Sequence, residues 1–309
     1  DETNDTTPLL DKCYRLIAKN STVLAVGDKK QTIHIWAGAP PNCMDLLSTY
    51  YNARNLSYDF TFRVPKSMCR YLQSSGIDTR IKPYDANTEG SIEKISYNKF
   101  LSKVFHGDIV LCRYNRGNKV LHTLQAISID LLKMGKAVAF HGSTHIEDIK
   151  EILKLSYPLP KFDKNLKNHV QNSVQNLIAE EYADKDLTAD NYRCKMLREK
   201  LESFNLYITY YFLKVIVNAS VTDFIHCLEK MYTTSTKAVQ LYSIHRSKGL
   251  EAKRVYVFHI EALVNDVINT EYDFSVRTEA HNLLLVALTR SLSETFTVDC
   301  DLPQFLPQP

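Results

Sequence analysis

The chain opens on two adjacent carboxylates, Asp1 and Glu2. Such a pair can divide the work of nucleotide hydrolysis: one carboxylate holds Mg2+, usually through water, and the next orients the attacking water as a general base. By itself the pair reads equally well as a solvated acidic terminus. Residues 23–40, VLAVGDKKQTIHIWAGAP, add a Gly-Asp turn and then Gln31, whose amide suits contact with a γ-phosphate. They also carry Trp36, the single tryptophan. A lone tryptophan either packs in a core or offers a stacking platform for an unpaired base. Arg63 in DFTFRVPKSM and Arg290 in EAHNLLLVALTRS are fixed, delocalised charges of the kind that stabilises a phosphoryl transition state. The alternatives are a surface arginine before a helix and the charged end of an apolar core helix. The segment 241–258, LYSIHRSKGLEAKRVYVF, places His245, Lys248, Gly249 and Glu251 on a turn between two strand-like runs.

These blocks together resemble the ordered motifs of UvrD-like superfamily 1 DNA helicases. Asp1, Glu2 and Asp5 are similar to motif II, with Asn4 in place of its glutamine. Gly27, Asp28, Gln31, Thr32, Ile33, Trp36, Gly38 and Ala39 match motif III, with His34 for the usual tyrosine and Ala37 for the usual arginine. Phe62-Arg63 is similar to motif IV in the form carried by the F-box DNA helicase branch. Arg113 and Asn115 match the block that opens the second RecA-like domain. His245, Ser247, Lys248, Gly249, Leu250 and Glu251 match motif V, with Ser243 for threonine. Leu283, Leu284, Val286, Ala287, Leu288, Thr289 and Arg290 match motif VI, with Leu285 for tyrosine.

The resemblance implies a RecA-like fold of the P-loop NTPase type, with parallel sheets flanked by helices. It implies one partial domain over residues 1–75, a complete one over 76–157 and 238–309, and a small helical insertion over 158–237. ATP and Mg2+ are the implied cofactors, with Asp1 on the metal and Glu2, Gln31, Arg63 and Arg290 around the reacting phosphate. Gly249 and Glu251 would face the nucleotide. Trp36, His34, Arg113, Ser243 and His245 would face single-stranded DNA or a single/double-strand junction, moved with 3′→5′ polarity.

The elements that must position these groups follow from periodicity. Helical spacing predicts helices over 8–19, 65–74, 119–134, 146–155 and 278–292. Short apolar runs predict strands over 21–28, 108–112, 136–141, 239–245, 254–260 and 294–300. Strands alternating with helices predict a parallel α/β sheet. Residues 158–237, opened by Pro158 and Pro160, read as a mainly helical insertion, and LPQFLPQP as a frayed tail or linker.

Composition sets the outer bounds. A chain of 309 residues with 44% apolar and 24% charged residues is ordinary globular material of about two domains. The net charge of +3 excludes an argument for nucleic acid from overall basicity, so any such site must be local. Seven scattered cysteines with no C-x-x-C spacing read as reduced thiols of an intracellular protein, nuclear or cytoplasmic. The acidic first residues do not form a signal peptide, and no run is long enough for a membrane span.

No G-x-x-x-x-G-K-[ST] occurs in the 309 residues. That loop cradles the phosphates with backbone N–H groups and a lysine. The helicase reading therefore expects it from an upstream segment or a partner chain. Two other readings stand beside it: a non-catalytic helicase remnant that binds single strands or a partner, and an α/β nucleotide-binding module of other chemistry.

Overall fold

The computed structural model describes residues 1–116, 121–142, 145–159, 162–163, 165–183, 192–214 and 220–308. In chain order its elements are α1 (Pro8–Ile17), α2 (Cys43–Tyr51), β1 (Phe60–Thr61), α3 (Lys66–Ser74), β2 (Lys82–Pro83), β3 (Ser91–Ile95), α4 (Tyr97–Lys103), β4 (Ile109–Cys112), α5 (Leu124–Lys133), β5 (Val138–Phe140), α6 (His145–Leu155), α7 (Asn165–Ala183), α8 (Tyr192–Lys214), α9 (Val221–Met231), β6 (Val239–Ser243), β7 (Ala252–Phe258), α10 (Ile260–Ile268), α11 (Phe274–Leu288) and β8 (Ser291–Val298). Short 3-10 turns form at Thr3–Asp5, Lys29–Gln31, Ile35–Ala37 and His245–Ser247. The fold is α/β, and every strand pairing among the described residues is parallel.

Two compact units form. The first comprises Asp1–Lys103, Asp108–Arg113 and Ile244–Pro309, the second Val104–Gly107 and Tyr114–Ser243. The first thus gathers most of the motif residues from both ends of the chain. Parallel strands need long crossover connections, and these bring distant segments side by side.

In the first unit the strands run in the order β3-β8-β7-β4. Their alternation is nearly lost at the centre: Val255 to Phe258 of β7 are all buried, as a strand covered on both faces requires. Phe100 of α4 meets Tyr256 and Phe258 edge-on, each at 5.1 Å between ring centroids, and so seals one face. Helix α11 is buried at every position from Ala280 to Leu288. A helix that is apolar all round belongs to a core, and each of its buried leucines contributes about 2 kcal/mol of transfer free energy. The buried Asp108 takes a double hydrogen bond from Arg254, at 2.9 and 2.8 Å, which ties the start of β4 to β7.

The second unit pairs β5 with β6 and buries one face of each helix in a common core. Ile149 and Ile152 of α6, Leu166, Val170 and Val174 of α7, Phe204 and Ile208 of α8 and Phe224 of α9 form that core. The expected helical character of the insertion holds for α7, α8 and α9. Thr123 caps α5, accepting from the Ala126 N–H, and Gly135 ends it at φ +74°. The predicted start of that helix at Lys119–Val120, and Pro160, lie outside the described residues.

Two expectations fail. The apolar run 21–28 forms no strand, and Val23, Leu24 and Val26 are exposed, Leu24 at 85%. A strand requires a neighbour to complete its ladder, and the run's one cross-chain backbone bond among the described residues is Thr3 N–H to Val26 O, at 3.0 Å. The Pro-rich tail is not frayed. Leu306 is 1% exposed, its N–H donates to Ser75 O at 2.8 Å, and Tyr71 Oη donates to Pro303 O at 2.9 Å. One apolar side chain in a pocket beside α3 outweighs the entropy of ordering a short, already stiff, proline-rich segment.

Candidate nucleotide and nucleic-acid site

The 3-10 turn after β6 and Gly249, at φ +80°, present Lys248 to the first residues of the chain. That left-handed conformation disfavours any side chain at 249. Lys248 is the hub of the first unit. Its Nζ lies 2.7 Å from Glu2 Oε2, pairs with Asp5, and donates to Gln31 O at 2.9 Å. With only 9% of its side chain exposed, this lysine joins three segments that are far apart in sequence. Glu2 itself sits at φ +56°, an uncommon conformation for a residue with a side chain.

The loop 28–37 is held by the same groups. Asp5 Oδ1 accepts from Ile33 N–H at 3.0 Å and His34 N–H at 3.4 Å. Asn4, fully buried, donates through Nδ2 to Gln31 O at 2.9 Å and accepts from Asp28 N–H at 3.2 Å. A Cβ at Gly27 would lie 2.7 Å from Asn4 Oδ1, so the close approach of these segments requires glycine there. The Gln31 amide turns to its own turn, donating to Asp28 Oδ2 at 3.0 Å. Asp1 is exposed, and its Oδ1 accepts from Glu2 N–H.

Arg290 does not project into solvent. It is 1% exposed, and its guanidinium donates to Val286 O at 2.8 Å, Thr289 Oγ1 at 2.9 Å and Leu250 O at 3.5 Å. Among the described residues it has no carboxylate within ion-pair distance. Burial pushes it down to about 9, the charge of Arg63 pushes the same way, and Glu2 and Glu251 oppose both. It keeps its charge at neutral pH. Arg63 reaches Glu251 Oε2 at a loose 3.7 Å, and its Nε is buried without a hydrogen-bond partner. The two guanidinium groups are thus under-compensated, beside Glu2 and Glu251 from opposite ends of the chain.

The aromatic face is separate from this cluster but continuous with the same loop. Trp36 is 72% exposed, so it is not a core residue. His34 lies between two rings, 6.2 Å from Trp36 and 6.3 Å from His245 by centroid. Glu279 of α11 accepts from Trp36 N–H at 3.0 Å and stands 3.4 Å from His245 Nε2. One turn further on, Asn282 Nδ2 donates to Thr32 O at 2.9 Å.

Arg113 pairs with Asp266 of α10 at 3.6 Å. Ser243 is buried at the end of β6, in the second unit. Sequence reasoning in turn assigned no role to Lys248, Asp5, Glu279 or Asn282. Lys248 and Asp5 were visible as motif positions; Glu279 and Asn282 gave no signal, because each holds a backbone group of a loop more than 200 positions away.

No family model and no curated protein sequence matches the chain.

Proposed function

We propose that the chain is the motor portion of an ATP-dependent DNA helicase or translocase. ATP would be hydrolysed beside Glu2, Gln31, Arg63 and Arg290 while single-stranded DNA is drawn across Trp36. The observation that carries this reading is the pair of under-compensated guanidinium groups next to Glu2 and Glu251. Buried cations are normally matched by carboxylates. A site that leaves Arg290 on carbonyl oxygens and an Arg63 N–H unbonded is chemically suited to a polyanion such as a triphosphate.

In this reading Glu2 takes up the role of base once Lys248 shifts from it to an incoming phosphate, and Gly249 and Glu251 face the nucleotide. Among the described residues no three His, Cys, Asp or Glu side chains form a ready metal site. Mg2+ commonly takes one carboxylate and completes its shell with phosphate oxygens and water, and the exposed Asp1 suits that single contact. Trp36, His34 and His245 offer π-faces to successive bases. The 3′→5′ polarity rests on the helicase resemblance alone.

The phosphate-cradling loop would come from an upstream segment or a partner chain. The exposed Leu9, Leu16 and Ile17 of α1 and Leu24 beyond it offer such a segment an apolar surface. The absence of that loop from the 309 residues also favours a second reading, a non-catalytic module that binds single strands or a partner protein.

The test is ATP hydrolysis with and without single-stranded DNA, by this chain alone and joined to a segment that carries the loop, beside Arg290→Ala. DNA-stimulated turnover that is lost in the variant is the expected result. A folded, loop-complemented protein that binds single strands but never hydrolyses ATP would overturn the motor reading in favour of the second.

A further inference from the structure

We infer that Glu279 is the positioning residue of the strand-binding face, a role that rests on the proposed reading of Trp36 as a stacking platform. Trp36 is too exposed to be held by its own packing, and it lies in a loop with only short 3-10 turns. Something rigid must fix its ring if it is to stack at a defined place. Glu279 supplies that anchor. Its side chain is 14% exposed and belongs to α11, the most deeply buried helix of the first unit. One carboxylate oxygen accepts the Trp36 N–H at 3.0 Å, and the other stands 3.4 Å from His245 Nε2. A single side chain thereby holds the backbone that carries Trp36 and the imidazole of His245, and the His34 ring lies within 6.3 Å of both rings. Asn282, one turn along on the same helix face, fixes the preceding stretch of the loop through Thr32 O.

The same helix leads into Arg290, eleven residues beyond Glu279. The helix runs to Leu288, nine residues beyond Glu279, which at about 1.5 Å rise per residue is roughly 14 Å, and its Thr289 cap then leads into Arg290. Glu279 acts through the tryptophan backbone and the imidazole, and not by touching the strand. Its negative charge faces a polyanion, so charge alone would make its removal favourable to binding. Any loss on removal must come from lost positioning.

The full chain carries one tryptophan, so its fluorescence reports this site and no other. Acrylamide quenching of Trp36 and its response to an oligo(dT) strand should be measured for the parent chain, Glu279→Ala and Glu279→Gln. The alanine variant is expected to raise quenching and weaken oligo(dT) affinity about tenfold, the lower end of the scale for one lost hydrogen bond to a charged acceptor. The glutamine variant keeps an oxygen acceptor and drops the charge. It is expected to keep parental quenching and to bind as tightly as the parent or tighter. Parental quenching and parental affinity in Glu279→Ala would overturn the positioning role and leave the stacking reading intact. Equal weakening in Glu279→Gln would overturn it too, since charge and not the anchor would then matter. A parent chain whose Trp36 signal and affinity ignore oligo(dT) would overturn the stacking reading itself, and Glu279's role with it.

Discussion

Each unit holds a cluster of charge, and the two clusters are built on opposite plans. In the second unit Arg116 pairs with Asp148 and with Glu199 at 3.1 Å, while Lys200 stands 3.7 Å from Asp148 and 2.5 Å from Glu151. Every cation there meets two carboxylates, and the network ties α6 to α8. In the first unit Lys248 takes Glu2 and Asp5, Arg63 has only a loose contact with Glu251, and Arg290 has carbonyl and hydroxyl oxygens. The difference separates a staple from a receptor. A saturated network has nothing left to offer a ligand. Cations short of anions are costly in the free protein and become favourable when an anion arrives.

The largest expected effect that separates the two plans is on turnover. Arg290→Leu should lower ATP hydrolysis by the loop-complemented protein about a thousandfold, while thermal unfolding of the free chain shows an unchanged or higher midpoint, because a poorly compensated buried cation is gone. A clear drop in the midpoint would break the comparison by making Arg290 a staple as well. The mirror experiment is Arg116→Leu, which takes the cation from Glu199 and leaves Asp148 only its longer contact with Lys200. It should lower stability in denaturant titration by about 3 kcal/mol and leave single-strand affinity of the folded protein unchanged. A change of less than about 0.5 kcal/mol would show the saturated network to be a solvated surface feature.

Trp36→Ala sharpens the contrast between ring and core. With the side chain this exposed, unfolding should hardly move, whereas single-strand affinity should fall by about 1–3 kcal/mol in a fluorescence-anisotropy titration with a labelled oligonucleotide. Loss of the fold instead would mean that the ring packs in solution. The smallest effect concerns His281, buried on α11, whose imidazole is held below its ordinary 6.5 chiefly by burial. The unfolded chain then binds the proton first as pH falls through 6.5, so stability is lost on acidification. On acidification from about pH 7.5 to about pH 5.5 the parent should lose more stability in denaturant titration than His281→Asn. Parallel pH profiles for the two proteins would show that His281 titrates normally in the folded state.

Much of the architecture was legible because periodicity and capping act locally. Helix α1 begins at Pro8 under the Thr7 cap, α5 stops at Gly135, and β4 and β7 stand where apolar runs predict them. The run 21–28 misled because an apolar stretch states a preference for burial and cannot supply its own neighbour. The tail misled because composition does not reveal that Leu306 has a pocket. Gly249 and Lys248 were visible on the turn they share, Lys248 as a motif position without a role. The burial of Arg290, and the turn of the Gln31 amide toward Asp28, depend on groups that no local pattern names.

The sequence by itself determined the alternation of strands and helices, the order of the candidate motif residues along the chain, and the lack of a phosphate-cradling loop within it. These follow from local propensities and from residue identity. Only the tertiary structure decided that Glu2, Asp5 and Gln31 meet on one lysine, that the guanidinium of Arg290 is short of an anion, and that Glu279 holds the backbone of Trp36. The contacts of Lys248 with these groups and of Glu279 with Trp36 span 217 to 246 positions of sequence, and the closing of parallel strands through long crossovers sets them.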